Sequence, residues 1–359
     1  MRASLIVGAM LSVSVLLAGA LIAGPLNPPA GPVASSFKTL TEVEPRIPLT
    51  QATTPGDGNS IFRITAPGSY YLTGNVTGIS GKSGIELASN GVTIDLNGYT
   101  LQGVAGSLDG IVPDTGLRTS IIIRNGMISG WGNHGIDLDF GAPTTSQGSV
   151  IESVIAVSNA GDGIRCPDGS SVSNCVSARN AGHGFSVANS ATFSACTAQG
   201  NGLNGFGGGF GCVYTSCVAR GNTGAGFAPN GTSNLTHCSA TSNGFIGFDL
   251  TSSQAVACTS VSNSTSNYRC ASNCYLLQCD SQNSTVGFDV TGSGNRLEGN
   301  KCTNATTGFR VSSTSNLVIG NAATGGTTRY SIVAGNSVGP ILTAAFIGTA
   351  TNPTANFDY

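Results

Sequence analysis

Between Gly163 and Phe248 apolar and small polar residues recur with a period of 21. Each unit opens with a Gly and a large apolar residue: Ile164, Phe185, Phe206, Phe227 and Phe248. A thiol follows twelve residues after the Gly, at Cys175, Cys196, Cys217 and Cys238, and an Asn lies four residues before the next Gly, at Asn180, Asn201, Asn222 and Asn243. Just after each opening Gly the pattern alternates, as in Gly-Phe-Ser-Val and Gly-Phe-Asp-Leu. Alternation of this kind predicts short strands with one buried face. A fixed period of this length means stacked units, each burying its apolar face on its neighbours.

The columns extend beyond the clear region. Upstream the anchor recurs at Ile85, Ile111 and Ile136; downstream at Tyr268, Phe288, Phe309 and Tyr330, giving about twelve turns. The Asn column extends through Asn159 and through Asn263, Asn283 and Asn304, and the thiols through Cys258 and Cys279. With 52 Gly and abundant Ser, Thr and Asn, paired amphipathic helices are excluded. Three short strands per turn, joined by Gly, Asn and Ser corners, make a parallel β-helix. Twelve coils about 4.8 Å apart give a rod on the order of 55 Å long. The anchors then form an axial stack, the thiols pack as small hydrophobes, and the Asn amides bond from coil to coil.

The Gly-apolar-x-apolar strand, the Asn ladder and the one-coil period resemble the right-handed parallel β-helix repeat proteins, the superfamily that includes pectate lyases and polygalacturonases. The resemblance covers about residues 60 to 345 and implies an all-β, right-handed solenoid. It also implies a polysaccharide partner, and calcium in the case of a lyase. Gly182-His183-Gly184 is similar to the Gly-His-Gly of polygalacturonases, but Asn-Thr-Asp, Asp-Asp and Arg-Ile-Lys are absent.

In chain order, residues 1–24 read as a secretory signal: Arg2, an apolar run from Leu5 to Leu17, then small residues. The run is short and broken by Gly8, Ser12 and Ser14, so no stable membrane span is expected. This places the mature chain outside the cell, in the periplasm or on the surface. Residues 25–58 read as a Pro-rich linker, and 59–359 as the β-helix, with capping strands at Ile61–Ile64 and Ser69–Leu72. The coils starting at 84, 110 and 135 are 26, 25 and 28 residues long, and loops at 112–120 and 142–149 absorb the excess. Such insertions commonly mark a binding face.

Charge and cysteine narrow the function. Charged residues are 9% of the chain, the net charge is −2 and there are three Lys, which argues against a nucleic-acid partner. Six of the eleven Cys stack at intervals of 20 or 21, where coil spacing exceeds the Cβ separation a disulfide prefers, so most are expected free.

Six of the twelve Asp lie between 109 and 168. The residues just before successive anchor Gly are Asp109, His134, Asp162, His183 and Asn204, a ladder of carboxylates and imidazoles. Adjacent acids and bases are what glycosidic cleavage requires, and Asp109 and Asp162, two coils apart, are expected roughly 9–10 Å from each other. Asp109, His134, Asp162 and His183 are therefore the candidate catalytic residues. Asp137, Asp139 and Asp168 with Arg165 are the candidate substrate-binding set, which would also serve a calcium-dependent lyase. Asp249, Arg269, Asp289 and Arg310 alternate in sign and read as an outer ion ladder. With one Trp, Trp131, and most Phe inward, sugar binding is expected to rest on polar contacts. Three functions fit: polysaccharide binding near coils 109–183, a lyase or glycosidase at the same place, or a structural rod.

Overall fold

The computed structural model describes residues 44–114, 118–139, 148–349 and 351–359. The expected signal, most of the linker and the tips of both insertion loops lie outside them. The chain divides into Met1–Pro45 and Arg46–Tyr359, and the second unit is the solenoid. No helix among the described residues is long and apolar enough to cross a membrane.

The alternating segments form parallel strands, as their periodicity requires. Thirteen of them make an anchor sheet, running from Ser60–Ile64 to Thr328–Ile332. Its register joins Phe62 to Ile85, Ile85 to Ile111, and onward through Phe185, Phe206 and Phe227 to Tyr330. The predicted cap strand at Ile61–Ile64 is thus the first full rung, which makes thirteen turns. Two further columns of short strands complete each coil, as in Thr192–Ser194 and Thr197–Gln199. They merge into one 26-stranded sheet because Ile122–Ser129 and Val150–Val157 run through both. The first pairing on the second column is Ile47–Pro48 with Tyr70–Tyr71, so the Pro-rich stretch enters the solenoid before residue 58.

Three left-handed corners bend each regular coil. In one they are Ser190, Ala195 and Gly200, with φ of 54°, 51° and 64°. This conformation costs an L-residue roughly 1–2 kcal/mol, which the stacked core must offset.

The core is a set of axial columns. The anchor rings from Phe185 to Tyr330 stack nearly parallel with centroids 4.7–5.1 Å apart. Phe193 and Tyr214 form a second stack, edge-on to the first at 5.7–5.8 Å. All eleven cysteines are free and buried. Burial pushes the Cys302 thiol up to about 11, which keeps it in the unreactive form. Trp131 is buried too, its Nε1 donating to the Leu101 carbonyl at 3.1 Å, and its ring fills the wider early coils.

The Asn ladder runs from Asn159 to Asn263, each Nδ2 donating to the next Oδ1 at 2.9–3.1 Å. Asn283 and Asn304 do not continue it. They lie four residues after the inward column residues Cys279 and Asn300, instead of five, and so fall on exposed left-handed corners. Asn263 instead donates to Asn267, which passes to Ser281. From there the lapsed thiol columns become amide columns: Asn295 takes over from Cys274 and continues to Asn316 and Asn336, and Asn300 takes over from Cys279 and continues to Asn321 and Asn356.

Candidate functional site

Strand parity places the residue after each anchor on the outer face. Read along the rod, this row is Asp137, Arg165, Ser186, Gly207, Ala228, Asp249, Arg269, Asp289 and Arg310. Both charged ends pair across coils. Arg165 Nη1 lies 3.1 Å from Asp137 Oδ2, Arg269 Nε donates to Asp249 Oδ1 at 2.7 Å, and Arg310 Nε to Asp289 Oδ1 at 2.8 Å. The ion ladder expected from the sequence is present.

The row before each anchor Gly also stacks as the sequence predicts, and its hydrogen bonds define its chemistry. Asp109 Oδ1 accepts the His134 N–H at 2.9 Å, and His134 Nδ1 accepts the Asp162 N–H at 2.8 Å. Asp162 Oδ1 accepts the His183 N–H at 2.6 Å, and His183 Nδ1 the Asn204 N–H at 3.2 Å. Asn204 repeats the contact to Ala225 at 2.8 Å. An Nδ1 that accepts assigns the ring proton to Nε2. Both imidazoles therefore present an N–H donor, and neither has a free nitrogen to act as a base in this arrangement.

The eight candidate residues fall into one strip. Arg165 is ringed by three carboxylates, with Asp137 at 3.1 Å, Asp139 at 3.6 Å and Asp162 at 3.8 Å. Burial holds the Asp137 carboxyl above its ordinary range, against the opposing pull of Arg165. Asp139 is raised for the same reason, also against Arg165. Asp168 stands at the far end of its strand, accepting from Asn189 Nδ2 at 3.3 Å. His183 lies one coil beyond Asp162, over Gly207: a Cβ there would come within 2.7 Å of its Nδ1.

Ligand atoms of Asp109, His134 and Asp137 come within 4.8 Å of one another. Calcium takes six to eight oxygens. Two carboxylates, one already paired with Arg165, and an imidazole fit that ion poorly.

Beyond the acidic strip the outer row falls to Ser186, Gly207 and Ala228, and the surface drops into a groove of about 590 Å³. His183 and Asn204 border it on one edge and Pro229, Asn230 and Thr251 on the other, and the Asp249–Arg269 pair closes it. A smaller recess of about 210 Å³ flanks Asp109 at the other end of the strip. The groove's signal in the sequence is three small residues in succession in the outer row. Two exposed rings flank its lining: Phe245, 43% exposed, lies under Arg269 with the guanidinium 5.7 Å from the ring centre, and Phe210, 54% exposed, borders Gly231 next to Asn230. These two rings stand outside the inward Phe column. Phe245 stands on the bend before its strand and Phe210 is the last residue of the strand Phe206–Phe210, so neither occupies the anchor position.

No protein-family model matches the chain, and no curated protein matches it. Solved structures do. The A-module of the mannuronan C-5 epimerase AlgE4 of Azotobacter vinelandii superposes on 76% of this chain and 91% of its own with a TM-score of 0.56 at 15% identity. Pectate lyase Pel9A covers 65% of this chain and 71% of its own, with a TM-score of 0.41 at 16% identity. The first likeness shows the fold alone, a right-handed parallel β-helix.

Proposed function

We propose that the protein binds an extended polysaccharide along the outer face of the anchor sheet, from the Asp109–His183 strip into the groove floored by Gly207 and Ala228. The observation that carries this is the outer row itself. Long charged side chains give way to Ser186, Gly207 and Ala228 and then return at Asp249, leaving an open track along the rod of about 19 Å, four coil steps. The imidazole N–H groups of the ladder and the carboxylates of Asp139 and Asp168 suit sugar hydroxyls, as donors and acceptors respectively. A neighbour of this fold named for a polysaccharide supports a glycan as the ligand, whatever its charge. The signal-like N-terminus supports export to the periplasm, the cell surface or the medium.

A second reading is cleavage at the same strip. It is favoured by Asp137, whose raised carboxyl stands beside Asp109 and Arg165, as a general acid must. Affinity electrophoresis through a panel of neutral and acidic polysaccharides tests binding. Retardation abolished by Ala228→Trp, which fills the floor, is the expected result, and migration unchanged by every glycan rejects the proposal. Release of reducing ends or unsaturated uronate, lost in Asp137→Asn, decides for cleavage.

A further inference from the structure

We propose that the groove selects neutral glycans and rejects polyuronates, a claim that rests on the binding function above and names its substrate class. The argument is one of charge and apolar surface. The two opposite charges of the groove lining, Asp249 and Arg269, neutralise each other through a two-point pair. No unpaired cation of the lining is left to receive a sugar carboxylate.

The approach is worse for an anion. Three carboxyls, Asp137, Asp139 and Asp162, ring the guanidinium of Arg165 on the adjoining strip, and Asp109 and Asp168 add two more along it. That cation is itself held by Asp137. The two described Lys are elsewhere: Lys82 donates to the Asp57 carbonyl, and Lys301 is on the third strand column. A uronate chain laid along the track would bring a carboxylate near this strip with nothing to offset the repulsion.

A neutral pyranose meets the opposite situation. Its hydroxyls find the Nε2–H of His183 and the amides of Asn204 and Asn230, and exposed rings beside the lining offer its C–H faces an apolar surface. Phe245 packs against Arg269 of the lining, with Leu203 two coils away and only Gly224 between them. A Cβ at Gly224 would strike Asn204 Oδ1 at 2.4 Å, so the gap between the two apolar side chains is fixed by that glycine. Phe210 supplies a ring against Gly231, next to Asn230 of the lining.

The experiment is calorimetric titration of the full chain with linear neutral hexasaccharides (gluco-, xylo- and manno-) and with hexamannuronate and hexagalacturonate, at low and high salt. At least one neutral ligand is expected to bind with an affinity that salt leaves unchanged, and the uronates at least tenfold more weakly at low salt. Phe245→Ala and Phe210→Ala should each weaken the neutral ligand by about two- to tenfold with the fold intact by circular dichroism. Ala228→Lys, which sets a cation in the floor, should bring uronate binding up. Uronates binding as tightly as neutral ligands, or Phe variants binding unchanged, overturn the selectivity while leaving glycan binding standing. Absence of binding by every oligosaccharide overturns the binding function itself.

Discussion

Asp137 shows what a single side chain in this site contributes. Its carboxyl is almost fully buried, and desolvation raises it above the ordinary 3.8 although Arg165 pulls it down and the Asp139 N–H donates to it. Asp109 pushes in the same direction as burial. A carboxyl raised in the folded state holds its proton longer than in the unfolded chain. Its contribution is therefore complete below 3.8 and is lost as pH rises through its folded value. Urea midpoints of the wild type and of Asp137→Asn, measured from pH 3.5 to 7, should diverge with rising pH, the wild type losing relative stability. Parallel curves would remove the physical basis for treating Asp137 as an acid. The stacking of this ladder was legible because offset from the anchor Gly fixes it. The burial of Asp137 and the commitment of both imidazoles to backbone N–H groups were not, since those depend on the facing coil.

At the scale of the element, the amide ladder is the feature that one substitution damages at several places. Asn201 donates to Asn222 and to the Ser177 carbonyl, and its Oδ1 accepts both the N–H and the Nδ2 of Asn180. Asn201→Ala strips partners from buried groups on both adjoining coils. A loss of about 1–3 kcal/mol for each group left unsatisfied is expected, read from equilibrium denaturation. A loss no larger than that of an exposed corner variant such as Asn283→Ala would show that the ladder is ornamental. These two asparagines also mark where sequence reading fails. Both stand five residues before an anchor ring, yet the Cys-to-Asn distance shortens from five to four at Asn283, and one residue decides between a buried rung and an exposed corner. Counting from the anchor alone concealed it. The replacement of Cys279 by Asn300 was hidden for a related reason: a column keeps its position while its chemistry changes from thiol to amide.

For the whole molecule, the repeat makes each coil an interchangeable part. Deleting residues 206–226 removes one complete turn, brings Phe185 under Phe227, Cys196 under Cys238 and Asn201 under Asn243, and leaves every column in register. The product should fold, be shorter by about 4.8 Å, and lose glycan affinity with its groove floor. Deleting only 206–215 breaks the register and should yield no cooperative unfolding transition. Equal behaviour of the two deletions would mean that the columns do not specify the stack. The fold was readable from sequence at this scale because stacking like on like imposes the same residue type at each level. The groove was less so, because it arises from what three outer positions lack.

The parallel register has a mechanical consequence. Its backbone hydrogen bonds run from coil to coil, along the axis of the rod, so tension applied through the two ends loads the coils in series and peels one at a time. A 21-residue coil, once freed, spans at most about 70 Å of extended chain. Stretching a single molecule should thus give a sawtooth of nearly equal steps, with longer ones from the 25- to 28-residue coils near the acidic strip. The end of the rod that carries the acidic strip would then report its own position by the unevenness of its yielding.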